Sequence, residues 1–195
     1  MECGRSIGRD EGYIYRNLVE IRAVGAAVII PALQRGVGVS NKVSGVPGRC
    51  IMAHTYACNF VHCVFSTKER RPLIPAHRTV ELYAYLGGIA RSESFSLIAA
   101  GGTANHVHLL LDLPATCSLA HAVQKLKGSS SRWMGEGFSW QEGYGAFSVS
   151  PSQIETVKEY IQNQEGHHRK RNFEDEFVAL LRNCGIEFDE RYVFG

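Results

Sequence analysis

From Met52 onward, short β-type runs alternate with helix-period segments in the order βαββαβ, and few architectures accommodate that order. Tyr56 to Thr67 is rich in Val, Phe, Tyr and Cys and reads as a buried strand. His77 to Ser92 carries Val80, Tyr83, Leu86, Ile89 and Ala90 at helical spacing. Phe95 to Ala100 reads as a strand, Gly101-Gly102 as a turn, and Asn105 to Leu113 as a second strand stopped by Pro114. Ser118 is an N-cap candidate for a helix running to about Met134. Gly143 to Val149 reads as a short strand, and Pro151 suits the first turn of a helix reaching about Gln164. A final helix, Phe173 to Asn183, is ended by Gly185. Two split β-α-β units of this kind predict an α+β, ferredoxin-like antiparallel sheet with helices on one face, followed by two C-terminal helices. The other face is then expected to be free to carry a site.

The first 51 residues have a different texture. They hold 8 of the 20 glycines and none of the 8 histidines. We read residues 1–51 as a poorly ordered N-terminal extension, 52–168 as the main folded domain, and 169–195 as a tail with a short helix. The apolar stretch Ala23 to Leu33 is broken by Pro31 and falls short of the ~18–20 residues of a membrane span. The cysteines form no CxxC pair and no finger spacing, which favours reduced thiols and a cytoplasmic setting. Net charge is +2, but residues 1–51 hold 7 Lys/Arg against 4 Asp/Glu. The remainder is therefore not generally basic, and nucleic-acid contact has to come from local clusters.

Two small groups carry chemistry. In His106-Val107-His108 on a strand, both imidazoles point to one face and Val107 to the core. Such a pair can hold a divalent metal, although two histidines on a solvated strand face more often hold none. Tyr160 and Gln164 are four apart on a helix, so they share a face at the edge of the Ile154, Val157 and Ile161 stripe. Taken singly, Tyr160 reads as a core tyrosine with its hydroxyl at the rim. Asn105 and Asn163 are placed to orient ligands by hydrogen bonds. His62 has no partner spacing and receives no role, although on the first strand it could face the sheet surface near the site.

Together with Val64 to Lys68, Asn105 to Leu109, Lys125 to Ser130 and Glu159 to Gln164, these groups make the chain resemble the single-tyrosine HUH transposases. These are small DNA transposases of bacterial and archaeal insertion sequences, with the REP-associated tyrosine transposases among their relatives. The resemblance covers about Met52 to His168 and carries a ferredoxin-like fold, in agreement with the element order. It implies cleavage and rejoining of single-stranded, hairpin-bearing DNA through a 5′-phosphotyrosine, with Tyr160 as nucleophile. It also implies that His106, His108 and Gln164 hold Mg²⁺ or Mn²⁺, and that the protein is a homodimer whose tyrosine helix can serve the partner's histidines. Imidazoles are unusual ligands for Mg²⁺, and ligand type alone favours zinc or manganese.

Local clusters fit a DNA path. Lys125, Lys127 and Arg132 lie beside Ser129 and Ser130, while Arg169 and Lys170 follow the tyrosine helix next to His167 and His168. Trp133, Trp140 and Tyr144 are candidates for base stacking. Glu174, Asp175 and Glu176 are expected to pack elsewhere or shield the surface. Other readings stay open: a domesticated relative nicking palindromic repeats, a non-catalytic nucleic-acid-binding module of the same topology, and a copy that folds but does not cut.

Overall fold

A computed structural model describes residues 56–169 and 171–194. The extension over residues 1–51 and Lys170 lie outside the described residues. Four strands form one antiparallel sheet: β1 (Phe60–Ser66), β2 (Ser96–Thr103), β3 (His106–Asp112) and β4 (Gly145–Val149). Their order is β2-β3-β1-β4, the ferredoxin-like arrangement expected from the element order. Helix α1 (Thr79–Ser92) follows β1, and α2 (Leu119–Met134) follows β3. Ser118 caps α2 as expected, its hydroxyl accepting from the His121 N–H at 3.2 Å. No helix of the described residues is long and apolar enough to cross a membrane.

The period-2 alternation of β1 and β3 sorts their side chains to two faces. Cys63, Phe65, Val107, Leu109 and Leu111 point to one face and are buried under Leu82, Leu86, Ala122 and Leu126 of α1 and α2. Each such leucine contributes about 1.5–3 kcal/mol through burial. His62, Val64, His106, His108 and Leu110 belong to the opposite face.

That second face is not open. Three further helices lie over it: α3 (Ile154–Gln162), α4 (Gln164–His168) and α5 (Phe173–Asn183). Val157 and Ile161 of α3 pack on Ala99, Leu110 and Val149. Phe173, Leu180 and Leu181 of α5 pack on Val64 and Phe147. These apolar stripes need burial, and with α1 and α2 occupying the first face the second is the surface left for them.

Two local expectations change. Gly101 and Gly102 continue β2, and the turn falls on Ala104-Asn105. A Cβ on Gly101 would lie 1.8 Å from the Ile161 carbonyl oxygen, so glycine here permits close backbone approach of α3 to the sheet. Gly102 has φ +152° and equally little room, with the His106 carbonyl oxygen 2.2 Å from a Cβ. The tyrosine helix also ends earlier than its periodicity suggests. It breaks at Asn163 (φ −100°, ψ 23°), and Gln164 opens the separate short helix α4.

Candidate metal and nucleophile site

His106 and His108 lie side by side on β3, fully buried between the sheet and the covering helices. Their register fixes their neighbours, since His106 pairs with Ser66 and Thr103, and His108 with Val64 and Gly101. The His106 ring stacks on Phe173 of α5 at 4.3 Å between centroids. Its Nδ1 lies 2.8 Å from Asn105 Oδ1. His108 Nδ1 lies 3.0 Å from His62 Nε2. His62, which on the first strand could face the sheet surface near the site, sits directly behind a site histidine. What the β1–β3 register adds is its contact with His108, since His62 lies opposite Leu110 on the same sheet face.

Tyr160 hangs from α3 over the same face, its ring centroid 5.9 Å from that of His108 and 6.0 Å from that of His62. Its hydroxyl donates to Glu176 Oε1. Gln164 is buried, and its amide donates to the same Glu176 Oε1 at 3.3 Å and to the Tyr160 carbonyl at 3.4 Å. The close approach of α3 at Gly101 brings both side chains onto the histidine pair.

The unexpected member is Glu176. Rather than shielding the surface, it is 2% exposed and lies at the centre of the cluster. Its Oε2 is 3.5 Å from His108 Nε2 and 3.0 Å from His168 Nε2, and its Oε1 is 3.7 Å from His167 Nε2. The signal was present in α5: Phe173, Glu176 and Leu180 share one helical face, and a carboxylate inside an apolar stripe needs partners. His167 and His168, grouped by sequence with a surface basic cluster, turn inward to meet it.

Electrostatics follow from burial and proximity. Burial holds the His106 imidazole at a pKa of about 2, with His108 and His168 pushing it further the same way. Burial, then His108, also lowers His62. Burial alone would raise the Glu176 carboxyl, but the His108 and His168 imidazoles and the Tyr160 hydroxyl outweigh it and keep it well below the usual carboxylate range. The site is therefore a buried carboxylate among imidazoles, a donor set that can take up a divalent cation.

The residues expected to contact DNA are dispersed. Lys125 pairs with Glu93 at 3.0 Å. Lys127 is half-buried and donates to the backbone carbonyls of Gln141, Glu142 and Gly143. Ser130 is buried, donating to the Leu126 carbonyl at 2.6 Å and accepting from Trp140 Nε1 at 2.9 Å. Trp140 is buried against Phe65, which removes it as a stacking surface. Ser129 is partly exposed, while Arg132 and Arg169 are exposed. Tyr144 is 40% exposed and borders a cleft with Gln124, Lys127 and Ser131.

Comparison with known proteins bears on this geometry. The family model Transposase IS200 like matches residues 54–164. The transposases for insertion sequence element IS200 of Salmonella typhimurium and Salmonella typhi are each 26% identical over 125 residues, covering 58% of this chain and 81% of theirs. Among solved structures, a candidate transposase from Deinococcus radiodurans is 26% identical with a TM-score of 0.47, covering 57% of this chain and 94% of its own. The REP-associated tyrosine transposase bound to a REP hairpin is 14% identical with a TM-score of 0.48, covering 73% of this chain and 94% of its own. A family match that runs across more than half of the sequence, over the whole sheet and the tyrosine helix, makes this chain a member of the IS200-like transposase family.

Proposed function

We propose that this chain cuts and rejoins single-stranded DNA during transposition, with Tyr160 as nucleophile. Its partner is hairpin-bearing single-stranded DNA, and the working unit is a homodimer that brings two tyrosines to the two strand ends. The observation that carries the reading is the convergence of a phenol hydroxyl and the buried His106 and His108 imidazoles around one carboxylate within a single chain.

The reaction has simple chemical needs. A phenol with a pKa near ~10 is a weak nucleophile until its proton has an acceptor and the phosphate is polarised. Glu176 Oε1 accepts the Tyr160 hydrogen bond and is the nearest base for its proton. As the Tyr160 oxygen bonds to phosphorus, the P–O3′ bond breaks and the departing oxygen takes a proton to become a 3′-hydroxyl. The covalent 5′-phosphotyrosine conserves the bond energy, so attack by another 3′-hydroxyl reverses the step and joins strands.

The residues fit a divalent metal held by His106, His108 and Gln164. His106 Nε2, His108 Nε2 and Gln164 Oε1 are buried without a hydrogen-bond partner. When bound, the ion supplies Lewis-acid stabilisation of charge on the non-bridging phosphate oxygens. Asn105 and His62 hold the far nitrogens of the two imidazoles and so fix which nitrogen faces the site. Backbone phosphates are met by Arg132, Arg169 and Ser129, and by Lys125 on exchanging Glu93 for phosphate.

The test is incubation with single-stranded hairpin DNA and Mn²⁺ or Mg²⁺, resolved on a denaturing gel. A protein–DNA adduct is expected for the unaltered chain and none for Tyr160→Phe. A full yield of adduct from the Phe variant overturns the assignment.

A further inference from the structure

We infer that the metal centre extends beyond the family-matched span: His168 and Glu176 join His106 and His108 as ligands, making a three-imidazole, one-carboxylate site for a transition-series divalent cation. The inference rests on the proposed strand-cleaving role of the same site and adds two ligands to it.

The four side chains have a common design. One donor atom from each lies within 4.8 Å of the other three. Every histidine has one ring nitrogen anchored: His106 Nδ1 to Asn105 Oδ1 at 2.8 Å, His108 Nδ1 to His62 Nε2 at 3.0 Å, and His168 Nδ1 to the Arg171 carbonyl at 2.9 Å. The other nitrogen, Nε2 in all three, is buried; that of His106 makes no hydrogen bond, and those of His108 and His168 face Glu176 Oε2 at 3.5 and 3.0 Å. Glu176 repeats the pattern, with Oε1 held by Tyr160 and Gln164 and Oε2 turned to the His108 and His168 imidazoles. Three imidazoles and a carboxylate gathered this closely, with their outer atoms already held, are matched by a cation as their common occupant. Outer hydrogen bonds that anchor the far nitrogen are the usual support of metal-bound histidine.

The backbone explains how the two added ligands are held. The Asn172 side chain caps α5 by accepting from the Asp175 N–H at 2.7 Å. Phe173 stacks on His106 while Leu180 and Leu181 dock on Val64, so Glu176 is carried inward on the same face. Three imidazoles and one carboxylate suit Mn²⁺, Co²⁺ or Zn²⁺ rather than Mg²⁺, which prefers oxygen and water. Gln164 Oε1, also buried without a partner, remains available to the same ion.

The test uses the full chain, stripped of metal and titrated with Co²⁺ while visible absorption is followed. Glu176→Gln and His168→Ala are each expected to weaken Co²⁺ binding tenfold or more, as are His106→Ala and His108→Ala. Glu174→Gln, on the same helix but outside the cluster, is expected to bind as the unaltered chain does. If only the His106 and His108 variants lose affinity, the two added ligands are wrong and the strand-cleaving proposal stands. If all four variants bind normally, both fall. Imidazole nitrogen NMR of the unaltered protein gives a readout independent of variant folding. Adding Zn²⁺ is expected to shift Nε2 of His106, His108 and His168, and an unshifted His168 overturns the inference.

Discussion

Tyr160 donates its hydroxyl hydrogen to Glu176, 16 positions later in the chain, and this one contact joins α3 to α5 across the histidine pair. It places the phenol and the imidazoles of the same chain around a shared carboxylate. Tyr160→Phe therefore tests stability as well as chemistry. With the hydroxyl gone, Glu176 Oε1 keeps the Gln164 amide at 3.3 Å and the His167 imidazole at 3.7 Å, and the loss is expected to cost about 1–3 kcal/mol in urea unfolding. An unchanged midpoint would show that the contact contributes nothing to folding.

His62 is the only side chain hydrogen-bonded to His108 Nδ1 among the described residues. His62→Ala is expected to weaken Mn²⁺ binding by about 10–100-fold without removing any proposed ligand. Isothermal titration of the metal-free protein checks this. Equal affinity in variant and parent would remove His62 from the support of the site.

Glycines on different surfaces should respond in opposite directions. Gly101→Ala drives a methyl group into the Ile161 carbonyl and should destabilise the fold by about 1–3 kcal/mol. Because it displaces the Tyr160 helix, adduct formation should slow as well. Gly128→Ala, on α2 with nothing within 4 Å of the new Cβ, should add about 0.5–1 kcal/mol. Thermal melts of the two variants beside the parent decide the matter.

The basic residues divide by their partners. Lys127→Ala leaves three backbone carbonyls without their ammonium donor and is expected to lower the melting temperature. Arg132→Ala is expected to leave stability unchanged. It should reduce the salt dependence of single-strand binding, with the slope of log K against log salt falling by about 0.7 for one lost phosphate contact. Filter-binding titrations at several salt concentrations measure that slope.

How much of this was legible follows from the range of each signal. Strand parity alone put His106 and His108 together on one face and Val107 in the core, because alternation is local. The four-residue spacing of Tyr160 and Gln164 likewise put both into one pocket, even though the helix breaks between them at Asn163. What depended on docking was hidden. Gly101-Gly102 looked like a turn because glycine permits both tight turns and close approach, and only the Ile161 carbonyl distinguishes them. Glu176 looked like part of an acidic surface because its partners lie on other elements, β3, α3 and α4, brought to it only by docking. His167 and His168 followed the same logic, since adjacent arginines suggested a surface cluster and α5 drew the imidazoles inward.

The most direct measurement is mass spectrometry of the covalent complex formed with a single-stranded hairpin and Mn²⁺, after protease and nuclease digestion. The expected result is a nucleotide-modified peptide whose modification maps to Tyr160 and is absent from Tyr160→Phe. A modification on any other residue, or no covalent species under conditions where the DNA is cut, would contradict Tyr160 as the nucleophile.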